Sequence, residues 1–471
     1  MHPRPDDGPK KDPLLTRAVS TLAVCLASAA CGGSSTPPHV ILITMDTLRA
    51  DALGCYGADG AASLSIDRFA AFATRYEQCV STAPWTVPSH ASLFTGRFPF
   101  EHGAISFDVD HMADNVTPLS DEHWTLAEAL QAEGYRTGGF VANAVYLNPR
   151  YGLSQGFDEW DVTREPGRKL NQRALRWLDN ELKQDPERPC MLFINYLDAH
   201  RPYNVEAVEG ESEYPSTEQP VVLLDRLIDT VMVRGETDAG LEAKVREQYA
   251  RSVRNLDRAV GELLSGLRDR GLYDDCVIVL TSDHGEYFGE HGLVEHSKDV
   301  YEEALSIPLI VRSPAQSAGQ TSAELASLVD VPGLILDCLP DSVSEPHAER
   351  FLRRPGGHLV FAENHFSRPR DLLRPEYKGR FKRERTALYT DEYKYIHSSD
   401  GQHELFRRAQ GEGENLLSAE PEVAAQMAER LQLVVAADRW NGTPQEAGPL
   451  DAAHQEAMRG LGYLGSEDEG E

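Results

Sequence analysis

The segment Val40-Ile-Leu-Ile-Thr-Met-Asp46 is a short apolar run that ends in a carboxylate. Two other runs have the same form: Cys276-Val-Ile-Val-Leu280 leads into Thr281-Ser-Asp-His284, and Met191-Leu-Phe-Ile194 leads into Asp198-Ala-His200. Apolar runs of this length are typical of buried parallel strands, which present polar residues at their carboxyl ends. We therefore expect the polar residues after these strands to meet at one edge of a sheet.

Helical patterns lie between these strands, so that strands and helices alternate along the chain. They cover Thr125 to Glu133, Leu170 to Leu182 and Val245 to Arg270. This order predicts an α/β fold with a central, mostly parallel sheet flanked by helices. The segment from Val205 to Gly240 interrupts the alternation and is rich in Glu, Pro and Thr, which predicts an insertion or lid near the site.

A smaller C-terminal α+β subdomain is predicted after the main domain. Its strand-like and helical segments are Leu359 to Phe361, Thr386 to Tyr389, Tyr393 to Ile396 and Glu420 to Ala437. We expect a catalytic domain over 39–340, the subdomain over 341–440 and a tail over 441–471, whose last residues are acidic and should be loose.

The N-terminus has the features of an export signal. Lys10, Lys11 and Arg17 precede an apolar run, Ala18 to Ala30, that is too short to span a bilayer as a helix, and Cys31 follows. This resembles a bacterial lipoprotein signal, with ordinary secretion or an unprocessed tail as alternatives. We expect a signal over 1–31, a linker over 32–38, and an exported protein of the cell envelope that a lipid on Cys31 attaches to the membrane.

The charge of the chain excludes one class of partner. Its 75 acidic and 46 basic residues give a formal net charge of -29, which repels nucleic acid over long range. No nucleic-acid partner is therefore expected. An anionic substrate would need local positive charge, and bound metal ions are the obvious source.

Asp46, Asp283 and His284 together predict a metal site. Two buried carboxylates on neighbouring strand ends repel each other unless a cation lies between them. Either Asp alone has a plain alternative as a helix cap or turn residue. Because His284 directly follows Asp283, and imidazole with carboxylates suits transition metals, we expect a divalent ion here: Ca, Zn or Mn, with one or two ions bound.

The second part of the predicted site lies in Ala83-Pro-Trp-Thr-Val-Pro-Ser-His-Ala-Ser-Leu-Phe-Thr-Gly96. Pro88-Ser89-His90 has the form of a helix start, so that Thr86 would lie just ahead of free backbone N–H groups that can hold an anion. A Thr hydroxyl beside a divalent cation can be deprotonated and can attack phosphorus or sulfur. Without the metal, Thr86 would be an ordinary cap residue.

These segments resemble the sulfatase family of the alkaline-phosphatase-like superfamily. Val40 to Gly57 is similar to the opening strand of bacterial sulfatases, and Thr86 to Gly96 is similar to their nucleophile motif, Cys/Ser-x-Pro-Ser-Arg followed by Thr-Gly. Later matching motifs are Thr281 to Glu286, Gly289 to Gly292, Tyr301 to Ala304, Pro308 to Val311, Tyr393 to Ile396, Glu404 to Phe406, Glu414 to Leu416 and Leu461 to Leu464. The resemblance implies an alkaline-phosphatase-like fold, a metal held by Asp46, Asp283 and His284, and Thr86 at the nucleophile position.

Three departures from the family pattern bear on the activity. Family members oxidise Cys or Ser to formylglycine, but the β-carbon of Thr86 carries a methyl group and cannot form that aldehyde hydrate. His90 replaces the usual Arg, and Thr47 replaces the Asp that normally follows the first metal ligand. In addition, His284 stands where many calcium-dependent sulfatases have Asn.

These departures point to relatives that use an unmodified Thr on phosphoesters. In two-metal relatives, Asp198, His200 and His296 would hold a second ion. In one-metal relatives, His200 and His296 would contact the anionic oxygens of the substrate or protonate the leaving group. We also assign substrate contact to His90 and Lys298, with a solvated surface role as the alternative for Lys298.

The expected function is hydrolysis of a sulfate, phosphate or phosphonate ester by a sulfatase-family metal-dependent enzyme that uses Thr86 unmodified. One alternative is a transferase that passes a phospho-linked head group to an acceptor. The other is a non-catalytic binder of sulfated or phosphorylated glycans. The substrate would be a small molecule or a glycan or lipid ester.

Overall fold

The computed structural model describes residues 36–59, 63–109, 115–203, 219–351, 359–442, 447 and 450–460. The predicted signal, with Cys31, lies outside the described residues, as do 204–218 of the predicted lid and most of the predicted tail. Within the described ranges, no helix is both long enough and apolar enough to cross a bilayer.

The strands, in chain order and within the described residues, are β1 (Val40–Met45), β2 (Thr74–Val80), β3 (Arg136–Val141), β4 (Glu159–Val162), β5 (Cys190–Tyr196), β6 (Val277–Thr281), β7 (Tyr287–Phe288), β8 (Val294–Glu295), β9 (Ser306–Arg312), β10 (Gln320–Ser327), β11 (Val360–Asn364), β12 (Arg385–Tyr389), β13 (Tyr393–Ser398) and β14 (Glu404–Arg407).

The helices in the same ranges are α1 (Leu64–Ala70), α2 (Thr86–Thr95), α3 (Pro99–His102), α4 (Leu126–Ala132), α5 (Gly167–Gln184), α6 (Pro220–Ile228), α7 (Ala239–Asp269), α8 (Glu302–Leu305), α9 (Val331–Leu336), α10 (Asp341–Ser344), α11 (Pro369–Leu372), α12 (Pro421–Asp438) and α13 (Ala452–Gly460). The long helices predicted from periodicity correspond to α4, α5, α7 and α12.

The central sheet has eight strands in the order β10-β2-β9-β6-β1-β5-β3-β4. Strand β1 pairs in parallel with β5 and with β6, and only β9 runs antiparallel to its two neighbours. This confirms the predicted mostly parallel sheet. In the register of these pairs, Thr44 lies opposite both Asn195 and Thr281, so that the loops after β1, β5 and β6 leave the sheet at the same edge.

Both faces of the sheet are buried, which explains why its inner strands are continuous apolar runs rather than alternating ones. Ile41 and Ile43 of β1 belong to one hydrophobic core, which the helices α5 and α7 help to form. Val40 and Leu42 belong to a second core on the opposite face. Successive side chains of a strand point to opposite faces, so β1 joins the two cores.

The described part of the predicted lid is helical. Helix α6 packs against α7 and continues into a short π-helix, Asp229–Val233. This places residues 220–233 on the helical layer of the main domain.

The C-terminal residues form a second sheet with the antiparallel order β11-β12-β13-β14. Helix α12 covers it, and Phe361, Leu388 and Tyr395 form a third core with side chains of that helix. The backbone N–H of Glu363 in β11 donates to the carbonyl of Thr82 at 2.8 Å. The second sheet therefore supports the loop that precedes Thr86.

His365, which follows β11, gives a testable pH dependence. Burial alone would lower the pKa of His365, but the carboxylates of Glu363 and Glu384 outweigh it and raise the pKa to about 9. A raised histidine pKa contributes stability that is complete below the unfolded value near 6.5 and is lost as pH rises through the folded value. We expect His365→Gln to lower the free energy of unfolding at pH 6 by about 2 kcal/mol, and this difference to shrink toward pH 10. Denaturant titrations at pH 6, 8 and 10 measure it, and a pH-independent difference would contradict the ion-pair assignment.

Candidate active site

The loop after β1 brings Asp46 to the edge of the sheet and fixes it there. Thr47 has a φ of 60°, a left-handed conformation that is strained for a β-branched residue. This conformation directs the Thr47 N–H to Asp283 Oδ1 at 3.2 Å, while its hydroxyl donates to the carbonyl of Ala199 at 3.0 Å. The strained residue therefore ties together the loops after β1, β5 and β6.

Three buried ligand atoms converge at this edge. Asp46, Asp283 and His284 each offer one ligand atom, and these atoms lie within 4.8 Å of one another. His284 Nε2 lies 3.4 Å from Asp283 Oδ2 and 4.0 Å from Asp46 Oδ1. All three residues are fully buried, and these three atoms have no hydrogen-bond partner in the described part of the chain. Buried polar atoms are normally satisfied, so the arrangement fits a cation.

The opposite side of each ligand is already engaged with the protein. His284 Nδ1 lies 3.0 Å from the carbonyl of Gly285, a contact in which the ring N–H donates and Nε2 keeps its lone pair. Asp283 Oδ1 accepts from the backbone N–H of Thr47 and of His284. Each ligand is thus oriented by the protein toward the shared point, as in metal sites whose ligands have supporting hydrogen bonds.

Burial changes the protonation of the two carboxyls in the metal-free protein. Loss of solvent, and after it the nearby Asp283 carboxylate, raise the pKa of Asp46 to about 8. Burial likewise raises the pKa of Asp283 to about 7. The two acids therefore hold protons that a cation would replace, because both charged forms are disfavoured without it.

Thr86 is the first residue of α2 and is 1% exposed. The sequence placed the helix start at Pro88, two residues later; Pro88 instead lies in the first turn, where its missing N–H is not needed. The N-cap residue, Trp85, makes no side-chain cap hydrogen bond. The backbone N–H groups of the first helical turn thus lie at Thr86, as an anion-binding site requires.

His90 links the helix to the sheet. Its Nδ1 lies 2.9 Å from the carbonyl of Thr86, and its Nε2 lies 3.2 Å from Thr44 Oγ1. Its ring also makes edge contacts with Phe94 and Phe193. Both ring nitrogens contact protein groups beneath Thr86, and the predicted contact of His90 with substrate stays a prediction.

His200 and His296 lie beside the candidate ligand His284. The ring centroids of His296 and His284 are 4.7 Å apart, and those of His296 and His200 are 5.1 Å apart. His296 Nδ1 lies 3.0 Å from Glu286 Oε1, and the hydroxyl of Tyr203 donates to Glu286 Oε2 at 2.9 Å. Burial lowers the pKa of His200 to about 3 and also lowers that of His296.

Asp198 does not join these histidines in a group of close ligand atoms. Its carboxylate oxygens lie 3.2 and 3.3 Å from the backbone nitrogen of Gly167, the first residue of α5. Within the described ranges, the one other group of three ligands within 4.8 Å is His291, Glu303 and Glu412, away from Asp46 and near the surface. Asp46, Asp283 and His284 are thus the buried group of three close ligand atoms among the described residues, and the predicted second ion stays a prediction.

Lys298 is buried in a cluster of charged side chains, which excludes the alternative of a solvated surface role and leaves its predicted substrate contact a prediction. Its ammonium group pairs with Asp371 and lies 3.6 Å from Glu295. Glu295 also pairs with Arg201 and, at 2.8 Å, with Arg368. Arg201 follows His200 in the chain, and the positive charge of Arg368 helps to lower the pKa of His296. The cluster therefore places positive charge next to the histidines.

Comparison with known proteins identifies the family. The sulfatase family model matches residues 38–342. The chain belongs to the sulfatase family. Among curated proteins, N-acetylglucosamine-6-O-sulfatase of Bacteroides thetaiotaomicron is 25% identical over 416 residues, which cover 68% of this chain and 72% of that enzyme. The chain is therefore an ester hydrolase of the sulfatase type by family.

Solved structures of this family and of related hydrolases share the fold. A putative sulfatase from Bacteroides fragilis superposes with a TM-score of 0.65 at 18% identity, covering 88% of this chain and 98% of that one. Phosphonate monoester hydrolase of Agrobacterium radiobacter superposes with a TM-score of 0.63 at 17% identity, covering 85% and 95%. At these identities the likeness confirms the alkaline-phosphatase-like fold.

Two asparagines of this sulfatase-family site were missed by the sequence analysis. Asn143 Nδ2 donates to Asp46 Oδ2 at 2.9 Å and lies 3.4 Å from Thr86 Oγ1. Asn195 Oδ1 accepts from the Asn143 backbone N–H at 3.2 Å, and its Nδ2 donates to Thr44 Oγ1 at 3.1 Å. The only sequence signal for these two residues was a single polar residue inside an apolar strand, for Asn195, or just after one, for Asn143.

Proposed function

We propose that this sulfatase-family protein hydrolyses a phosphate, phosphonate or sulfate ester by attack of the unmodified Thr86 hydroxyl beside one divalent ion. One observation carries the proposal. Asn143 Nδ2 lies 2.9 Å from Asp46 Oδ2 and 3.4 Å from Thr86 Oγ1. A single side chain therefore bridges the Thr86 hydroxyl and the group of Asp46, Asp283 and His284. The donor set of imidazole and carboxylates favours Zn or Mn over Ca.

The chemistry follows from these positions. A bound divalent ion lowers the pKa of a neighbouring hydroxyl and offsets negative charge on the ester oxygens. Thr86 Oγ1 passes its proton to solvent water and bonds to phosphorus or sulfur, the bond to the leaving oxygen breaks, and that oxygen departs with the electron pair. The N–H groups at the start of α2 stabilise the negative charge that develops. Water then hydrolyses the Thr86 ester and frees the hydroxyl.

His296 is the better candidate to protonate the leaving oxygen. Its Nδ1 faces the Glu286 carboxylate at 3.0 Å, whereas His200 Nδ1 faces the carbonyl of Arg201 at 2.8 Å. Once ionised, Glu286 would stabilise a protonated His296 ring against the burial that lowers the pKa of His296. With Nδ1–H donated to Glu286, the proton on Nε2 is the one available for transfer. His200 would then contact the anionic oxygens of the ester.

Threonine favours phosphorus over sulfur as the centre attacked. The methyl group of Thr86 excludes the aldehyde hydrate of the formylglycine mechanism, so that the intermediate is an ordinary ester of threonine. A phosphonate monoester hydrolase is among the proteins of similar fold, which supports a phosphorus ester. We place the protein in the cell envelope, attached through Cys31, acting on a small molecule or a glycan or lipid ester.

The test combines metal analysis of the purified protein with a panel of substrates. The panel holds an aryl sulfate, a phosphomonoester, a phosphodiester and a phosphonate monoester. We expect about one ion per chain at the site and faster turnover of a phosphorus ester than of the sulfate. Chelation followed by Zn or Mn should remove and restore turnover. Equal turnover of all four esters with and without the ion would exclude the proposal.

A further inference from the structure

We propose that Asn143 is the residue that positions the Thr86 nucleophile. The inference rests on the function proposed above and assigns a role to a residue outside the metal ligands and the histidines. Asn143 is fully buried and follows β3, next to the carboxyl end of β5. Its amide contacts both a metal ligand, Asp46, and the nucleophile, Thr86.

The orientation of the Asn143 amide is fixed by its neighbours. Its Oδ1 accepts from the backbone N–H of Tyr146 at 3.0 Å, and Asn195 holds its backbone N–H. With the amide reversed, Oδ1 would face the Asp46 carboxylate and the NH₂ group would face the N–H of Tyr146, and both contacts would be repulsive. Only the observed orientation satisfies all partners, so Nδ2 presents its two N–H bonds toward Asp46 and Thr86.

A donor at this place has two consequences for the nucleophile. The Asn143 N–H group occupies a lone pair of Thr86 Oγ1, so that the hydroxyl proton points away from Asn143. The same N–H bond strengthens when the oxygen becomes negative, because hydrogen bonds to charged acceptors are the stronger ones. An amide nitrogen accepts no proton, so Asn143 orients Thr86 and stabilises its anion without acting as a base.

The contact between Asn143 and Asp46 also helps to position the Thr86 hydroxyl relative to the ion. Asn143 satisfies Asp46 Oδ2 at 2.9 Å and leaves Oδ1, which has no hydrogen-bond partner among the described residues, for the ion. One amide group therefore sets the position of the hydroxyl relative to the ligand that holds the ion. This is a positioning role, since Asn143 acts through Thr86 and Asp46.

Asn143→Asp tests the inference because it replaces the donating NH₂ group with a carboxylate oxygen, so that the donor is lost and a negative charge is added. The variant keeps the shape of the side chain and an oxygen for the N–H of Tyr146. We expect kcat to fall by about 100-fold or more, as for the loss of one preorganised donor, with little change in KM. The yield of Thr86-linked intermediate, measured by intact mass after acid quench, should fall in parallel. The affinity for Zn, measured by competition with a chelator, should not weaken.

Asn171→Asp is the matched control. Asn171 is also buried, its Nδ2 donates to the carbonyl of Ala259 at 2.8 Å, and its Oδ1 accepts from the hydroxyl of Tyr196. We expect its kcat to stay within about twofold of wild type, since it loses an equivalent donor away from Thr86. A purely structural Asn143 would make the two Asp variants alike in kcat and different only in melting temperature.

The outcomes separate this inference from the proposed function. If Thr86→Ala is inactive and Asn143→Asp turns over substrate within threefold of wild type, the positioning role is wrong and the proposed function stands. If Thr86→Ala retains full activity, the proposed function itself fails. Asn143→Ala, which removes the donor without adding charge, should show the same loss of kcat at retained Zn affinity; wild-type kcat in this variant would contradict the positioning role, and it also replaces Asn143→Asp should that variant not fold.

Discussion

Thr86→Ala should lower kcat/KM for the best ester of the panel by at least about 1,000-fold, because a covalent mechanism has no substitute for its nucleophile. The substitution keeps the β-carbon of Thr86 and removes only the hydroxyl and the γ-methyl group. Residual turnover would come from the ion and from the donors at the start of α2, which still stabilise charge when water attacks directly. Steady-state kinetics on metal-loaded protein measures the loss.

Two further variants make this result interpretable. Thr95→Ala removes a buried hydroxyl from the other end of the same helix, where Thr95 Oγ1 donates to the carbonyl of Ala91 at 2.7 Å, and its kcat should match wild type. Thr86→Ser keeps the hydroxyl and should retain at least about a tenth of the activity. A folded Thr86→Ala protein with wild-type turnover would show that another group attacks the ester.

The central sheet could be predicted from the sequence because burial on both faces leaves a simple signal. Val40 to Ile43 are all apolar, and they divide between two cores on opposite faces of the sheet. A strand with one solvated face would have alternated polar and apolar residues. The parallel pairing then explains why Asp46 and Asp283, far apart in sequence, emerge at one edge.

The partners of the metal ligands could not be predicted in the same way. Asn143 and Asn195 have no motif around them, and their contact depends on the register of β3 against β5, in which Val141 lies opposite Asn195. A lone asparagine after a strand is equally typical of a turn. Register is set by packing across the whole sheet, so these contacts became visible only in the folded chain.

The roles of His90 and Lys298 depend on burial, which residue type does not reveal. His90 lies at the position where the resembling motif has arginine, and its imidazole contacts Thr44 and the backbone of Thr86. Lysine is almost never fully buried unless it is paired. The pairing partner of Lys298, Asp371, lies 73 residues away and has no signal in the sequence near the site.

Asp283→Asn should have opposite effects on ion binding and on the stability of the ion-free protein. An asparagine oxygen can still accept from the backbone N–H of Thr47 and of His284, as Asp283 Oδ1 does, while the amide NH₂ replaces the ligand oxygen. Ion affinity should fall by at least about 100-fold, more than the loss of a supporting hydrogen bond costs, and turnover should fall with it.

The ion-free protein should respond in the other direction. The pKa of Asp283 is raised to about 7 by burial, so the unfolded chain loses its proton near pH 4 while the folded chain keeps it, and wild-type stability falls as pH rises between these values. Asn carries no such proton, and at pH 8 the free energy of unfolding of the ion-free variant should exceed that of ion-free wild type by on the order of 2 kcal/mol.

Asp257→Asn is the control for ion binding. It changes a buried carboxylate bonded to the backbone at the start of α1 and should keep wild-type ion affinity. Measurements in a His291→Ala background remove binding at the surface group of His291, Glu303 and Glu412. If Asp283→Asn bound the ion as tightly as wild type in that background, the buried site would not be the metal site.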